Sequence, residues 1–420
     1  MNIKKLIISV GAAFCLLIPA AFAATSVEFT IGECDVYSLK ENVSKTVINA
    51  APYIKNDRTM VPVRALCEIF GSDVSWDSET NAVSISKDGK YVILDIGSDN
   101  IYVNGEKKQI DCAPEIVNDT TFIPLRAVSE NLGYYVYYVG ATGQIIIDDI
   151  APVINVANDD IAYNEFAAMY NLNYNGNASE QAAFVNNLYS SFAKLYAMYY
   201  NAQQNSISLT DDEIQSLKSI SAKIKNSDIS NLNFLPASYV KIQHDYMVAN
   251  KYVDHIYDSI SIDDEGLEKL YHENYVCAKH VLILTGNDRS DEDALKLAQD
   301  IYRRAAAGED FDLLVSQYGE DPGMKTNPNG YVFTYNEMVK EFEQASFELE
   351  PGQVSQPVKT SYGYHVILKM PLPEDKDTLE NVKQKVIGNI YNQMINSIYE
   401  NTPAYINIPE NEFLPIINNK

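Results

Sequence analysis

The sequence predicts a multidomain α+β chain: an N-terminal α/β repeat domain, a mostly helical region, and a compact C-terminal α+β domain. Three observations carry this. Residues 51–74, APYIKNDRTMVPVRALCEIFGSDV, align without gaps on residues 113–136, APEIVNDTTFIPLRAVSENLGYYV, at a constant shift of 62 residues. From residue 160 to 275 the apolar residues recur at helical spacing. Beyond residue 276, the strand-like runs AKHVLIL (278–284) and GYHVILK (363–369) bracket three helical patterns.

The first 23 residues read as a signal peptide: Lys4 and Lys5 precede an apolar run from Leu6 to Ile18, and Ala21-Phe22-Ala23 ends in small residues at the cleavage positions. That run is too short to span a bilayer, and no later stretch is long enough. Cys15 lies inside the run and follows Phe14, which argues against a lipid-modified cysteine. The expectation is an exported chain, secreted or held at the cell surface. Its formal charge is -25, falling to -27 once Lys4 and Lys5 are removed, so nucleic acid, anionic lipid and anionic wall polymers would repel it. Four cysteines remain, Cys34, Cys67, Cys112 and Cys277, without metal-type spacing. Buried free thiols and a Cys34–Cys112 disulfide both fit an oxidising compartment.

Each repeat within residues 24–150 reads as a short strand, an Asn-Asp turn (Asn56-Asp57, Asn118-Asp119), a proline entry to a helix (Pro62, Pro124), a glycine stop (Gly71, Gly133) and a further strand. Ala82 to Ser86 and Tyr91 to Leu94 read as strands, and Asn104-Gly105 as a hairpin turn. The repeated P-x-R-A-x-x-E-x-x-G pattern resembles the domain named after the amino-terminal stalk of copper amine oxidases. The segment contains no histidine, so the resemblance implies no copper. Arg64 with Glu68 and Arg126 with Glu130 stand four apart on helices, and the expectation is a structural ion pair holding helix to sheet, with a binding site as the other reading.

Within residues 151–275, Phe184, Leu188, Phe192, Leu195 and Tyr199 form a helical stripe, Thr210 to Glu213 is a capping box, and Pro236 opens another helix. His244, His255 and His272 share no helical face and read as solvated or core residues.

Residues 276–371 run strand, helix from Ser290 to Ala307, helix from Phe311 to Tyr318, helix within Met338 to Phe347, the Pro351-Gly352 turn, and a last strand. Two of the five histidines, His280 and His365, sit on its apolar strands. AKHVLIL, EMVKEFEQASFEL and PGQVSQPVKTSYGYHVILK resemble, in order and spacing, the parvulin family of peptidyl-prolyl cis/trans isomerases. The resemblance implies that His280 and His365 are paired inside the sheet, that Asp321 and Thr360 belong to the catalytic network, and that Phe333, Met338, Phe342 and Tyr362 contact substrate. One departure is the loop Asn327 to Gly330 before Tyr331, where many members read GGDLG before an aromatic. For the histidines, a satisfied core pair that shapes the site competes with direct acid–base work, and twisting an amide demands no proton transfer. Only Lys325 is close to Asp321 in sequence, so no preference for a phosphorylated residue before the proline is expected.

Residues 378–399 carry Leu379, Val382, Val386, Ile390, Met394 and Ile398 at helical steps. By position, 151–275 and 372–420 together resemble the chaperone module of exported parvulin-type foldases, interrupted by the isomerase domain. The helix would then pack on 160–275; packing on the isomerase domain and a dimer contact are the alternatives. The implied function is an extracytoplasmic prolyl isomerase and foldase assisting secreted proteins. It needs no cofactor and no metal, and its partners are unfolded or proline-containing polypeptides, with a cell-surface ligand open to the repeat domain. The other class is a non-catalytic surface scaffold using the same domains.

Overall fold

The computed structural model describes residues 26–418 except 40, 41, 158, 287 and 288, so the expected signal peptide lies outside the described residues. The chain forms two compact units, one of residues up to 256 together with those from 394 onward, the other of residues 257–393.

In the first unit the repeat becomes two copies of a hairpin that feeds a short helix. Tyr53–Lys55 pairs with Arg58–Pro62, and Glu115–Val117 pairs with Thr120–Pro124. The turn residues Asn56, Asp57, Asn118 and Asp119 all have φ between 48° and 60°, the left-handed geometry that a two-residue hairpin turn requires and that Asn and Asp tolerate. Pro62 and Pro124 then lead into helices Val63–Phe70 and Leu125–Leu132, which Gly71 and Gly133 end in left-handed conformation. The inner strands of the two hairpins pair with each other about Val61 and Ile123, equivalent residues of the two repeats and both fully buried. The repeats thus share one core.

Arg126 and Glu130 do pair, at 3.3 Å, but along the exposed surface of their own helix, and no Arg64–Glu68 pair occurs among the described residues. These residues therefore do not clamp helix to sheet. An exposed pair of this spacing contributes about 0.3–0.5 kcal/mol, whereas each large apolar side chain buried contributes roughly 1.5–3 kcal/mol; Leu66, Phe70, Val128 and Leu132 supply several. The four described cysteines are free, with Cys34 beside the repeat core and Cys112 beside Met60 and Phe122, so no disulfide joins them. Burial pushes the Cys67 thiol up to about 12 and the Cys277 thiol to about 11, which keeps both protonated.

The helical stripe lies on Gln181–Gln204, where Leu188 and Phe192 are buried against Phe166 and Phe413. Thr210 and Glu213 complete a reciprocal capping box on Asp211–Lys225, and Pro236 opens Pro236–Ser259. Although sequence pattern separates the repeats from these helices, they share a core: Tyr37, Leu39, Val43, Tyr137 and Ile146 pack with Ala162, Leu235 and Ala237. Buried Glu28 ties the two, accepting from Gln144 Nε2 and the Ala237 N–H at 2.8 Å each and pairing with Lys225 at 3.2 Å.

The second unit is built on a four-stranded antiparallel sheet in the order Tyr331–Phe333, Val276–Leu284, Gly363–Met370, Val358–Lys359. One face packs Val281, Ile283, Tyr364 and Val366 against helices Asp291–Ala306 and Phe311–Tyr318. The other packs Val276, Ala278 and Ile367 against Phe342 of helix Lys340–Glu348. A strand covered on both faces has no solvent side to mark with polar residues, which explains the unbroken apolar runs. The last long helix, Lys376–Asn401, divides its stripe. Within the second unit, Leu379, Val382, Val386 and Ile390 pack with Leu267, Leu270 and Tyr271 of helix Asp264–Asn274. Met394 is exposed, and Ile398 joins the core of the first unit.

Candidate active site

Strand alternation explains the two histidines. His280 stands opposite Ile367 and His365 opposite Leu282, so the imidazoles are diagonal neighbours on the sheet face covered by helix Lys340–Glu348. Their ring centroids are 5.0 Å apart, and Phe342 meets both rings edge-on at 5.0 and 5.3 Å. Each histidine is only 5% exposed, so its polar atoms must find partners inside the protein or remain unsatisfied.

Thr360 supplies one partner, its Oγ1 lying 2.9 Å from His365 Nε2 while also accepting the Tyr362 N–H at 3.2 Å. The turn that brings it there passes through Gly363, where a Cβ would come within 2.0 Å of the Ile283 carbonyl oxygen; only glycine permits that approach. Asp321 follows helix Phe311–Tyr318. Its Oδ1 accepts the Gly323 N–H at 2.9 Å, its Oδ2 accepts the Tyr331 hydroxyl at 2.8 Å, and Oδ2 lies 3.1 Å from His280 Nε2. That last approach is close enough for an ion pair but poorly aligned with the ring N–H. Among the described residues, neither ring nitrogen of His280 nor Nδ1 of His365 has a well-directed hydrogen bond.

Burial lowers the His280 pKa against the opposing pull of Asp321. Burial and the neighbouring imidazole bring His365 down to about 4, again against Asp321. Both rings are therefore neutral at neutral pH. Beside them Phe333 and Phe342 are buried with centroids 5.8 Å apart, and Met338 packs on the same cluster. The structure thus brings together His280, Asp321, Thr360, His365, Phe333, Met338 and Phe342, while Tyr362 stands 57% exposed on the turn before the last strand. The site also contains Tyr331, to which the sequence reading assigned no role; the only signal was its place after the altered loop. Nothing in the site is a cluster able to hold a metal among the described residues.

Residues 280–370 match the family model described as the PPIC-type PPIASE domain, and residues 40–147 that of the copper amine oxidase N-terminal domain. The matched part of the second unit, residues 280–370, is thereby a peptidyl-prolyl cis/trans isomerase domain of the parvulin class. The chain is 30% identical over 229 residues to "Foldase protein PrsA" of Caldanaerobacter subterraneus subsp. tengcongensis, covering 50% of this chain and 67% of that protein. It is 40% identical over 135 residues to a "Foldase protein PrsA" of a Geobacillus species, covering 31% and 44%, and 40% identical over 93 residues to "Chaperone SurA" of Pseudomonas fluorescens, covering 22% of each. The chain belongs to the PrsA foldase family. It is a foldase with peptidyl-prolyl isomerase activity, and the reading as a non-catalytic scaffold is not favoured.

Proposed function

We propose that the chain works outside the cytoplasm, binds proline-containing stretches of unfolded secreted polypeptides, and speeds Xaa-Pro rotation at the sheet face carrying His280 and His365. The observation that carries this is the meeting of a buried aromatic cluster, Phe333 and Phe342 with Met338 against them, with buried polar atoms that lack well-directed partners. Rotation about Xaa-Pro must break amide resonance, a barrier of roughly 18–20 kcal/mol, and requires no bond to the protein. Phe333, Met338 and Phe342 hold the proline ring while the preceding segment turns. As the amide twists, its nitrogen becomes pyramidal and its carbonyl loses conjugation, and fixed polar groups from Asp321, Thr360 and the neutral histidine pair favour that state over the planar one. The histidines shape and polarise the pocket without transferring a proton. Tyr362, exposed at the rim, is positioned to flank the peptide. An isomerisation assay on the full chain, with peptides varying the residue before proline, tests this: catalysis of at least some peptides is expected, and no rate above the uncatalysed one for any of them would overturn it.

A further inference from the structure

Resting on that isomerase reading, we propose that the Tyr331 hydroxyl is a positioning group that fixes the Asp321 carboxylate, and through it His280. Tyr331 pairs with Ala278, one alternation from His280 on the same face, and its ring centroid is 6.0 Å from the imidazole. Its hydroxyl donates 2.8 Å to Asp321 Oδ2, the same oxygen that stands 3.1 Å from His280 Nε2. The other carboxylate oxygen is held by the Gly323 N–H at 2.9 Å. Bonds at both oxygens fix the rotation of the carboxylate as well as its position. Without the phenol, Oδ2 has only the misaligned imidazole, and the carboxylate, 22% exposed, is free to turn toward solvent.

Two further features suit this role. Burial and Asp321 push the Tyr331 hydroxyl up to about 12, so it remains a proton donor throughout the working range. The fold also reserves its place: a Cβ on Gly323 would lie 1.9 Å from the Tyr331 Oη. Even without a well-directed hydrogen bond, the negative charge of Oδ2 at 3.1 Å from Nε2 biases the neutral His280 toward carrying its proton there, and His280 abuts His365. The phenol thus biases the polarity of the cluster through Asp321, while its ring packs on the Phe333 and Phe342 cluster, a contact that Tyr331→Phe leaves in place.

The test uses the full chain. Tyr331→Phe keeps the ring, so kcat is expected to fall about tenfold, the worth of one charge-assisted hydrogen bond, with KM unchanged and the ring 15N shifts of His280 moved. Gly323→Ala crowds the phenol from the other side and also comes within 3.2 Å of Asp321 Oδ1, so it should lower kcat alike, and by clearly less in the Tyr331→Phe background than in the unaltered chain. Wild-type kcat in Tyr331→Phe with an unmoved His280 spectrum overturns the proposal, as does additivity of the two substitutions. Inactivity of the unaltered chain would instead remove the isomerase reading on which it rests.

Discussion

Each unit buries a polar cluster, and the two are finished differently. In the first unit, Tyr196 Oη lies 2.6 Å from Glu165 Oε2 and 2.7 Å from Asp245 Oδ2. Lys241 Nζ reaches Asp245 at 2.7 Å, Tyr196 at 3.0 Å and Glu165 at 3.3 Å, and His244 Nδ1 closes on Asp245 Oδ1 at 2.8 Å. Burial raises the Glu165 carboxyl, whereas at Asp245 the same burial is outweighed by Lys241 and His244, leaving it below its usual range. Of this group only Glu165 Oε1 is left over. In the second unit, three of the four imidazole nitrogens of His280 and His365 lack a well-directed bond. Burial alone therefore does not distinguish a site from a structural network. What sets the second cluster apart is that its unpartnered nitrogens lie against the Phe333, Met338 and Phe342 cluster.

Lys241→Met should show the structural half of this contrast most strongly. It strands two buried carboxylates, and the loss of stability is expected on the order of 3–5 kcal/mol, read by denaturant unfolding, while kcat/KM of the folded protein is expected to stay within about twofold because the two clusters share no hydrogen-bond partner. Phe342→Ala should do the reverse, lowering kcat/KM on the order of a hundredfold through misplacement of the proline ring, measured in the peptide assay. A large activity loss from Lys241→Met would dissolve the distinction.

Acid sharpens it further. His365 has a folded pKa of about 4 against an ordinary value of 6.5, so the unfolded chain binds the proton first as pH falls. The stability it contributes is present above pH 6.5 and is lost as pH falls through about 4. The loss, after allowance for partial screening, is on the order of 2 kcal/mol. Unfolding of the isomerase domain followed from pH 7 to pH 4 should show this loss, and His365→Gln should flatten it.

The smallest expected effect concerns phosphate. Arg289, far from Asp321 in sequence, is brought beside its neighbour Glu320 and bound through both nitrogens at 2.7 Å. That cation is already neutralised, and a phosphate would also face Asp321. A phosphoserine before the proline should therefore change kcat/KM by no more than about twofold in the favourable direction; a large gain would mean that Arg289 leaves Glu320 for the substrate.

Features with a local period were legible in the sequence. The gapless repeat, its Asn-Asp turns and glycine stops, and the histidines embedded in two apolar strands are all short-range patterns; that His280 and His365 share one face was implied only by the parvulin resemblance and is fixed by the register of the two strands. The bonds Tyr331 to Asp321 and Arg289 to Glu320 are not periodic and depend on where loops close, so residue types alone do not reveal them. The union of the repeat sheet with the helices through Glu28 was hidden for the same reason, because its partners Lys225 and Ala237 lie on separately patterned segments. Arg64 and Glu68 show the converse: ideal spacing creates no clamp where both side chains face water.

The central claim is that the under-bonded cluster of His280 and His365, and not the cluster around Lys241, meets the substrate. With only five histidines in the sequence, selective 15N labelling of the full chain yields a spectrum in which each imidazole can be followed. On titration with an Xaa-Pro peptide, the signals of His280 and His365 should shift while those of His244, His255 and His272 hold still. Movement of His244 with His280 and His365 unchanged would contradict the account.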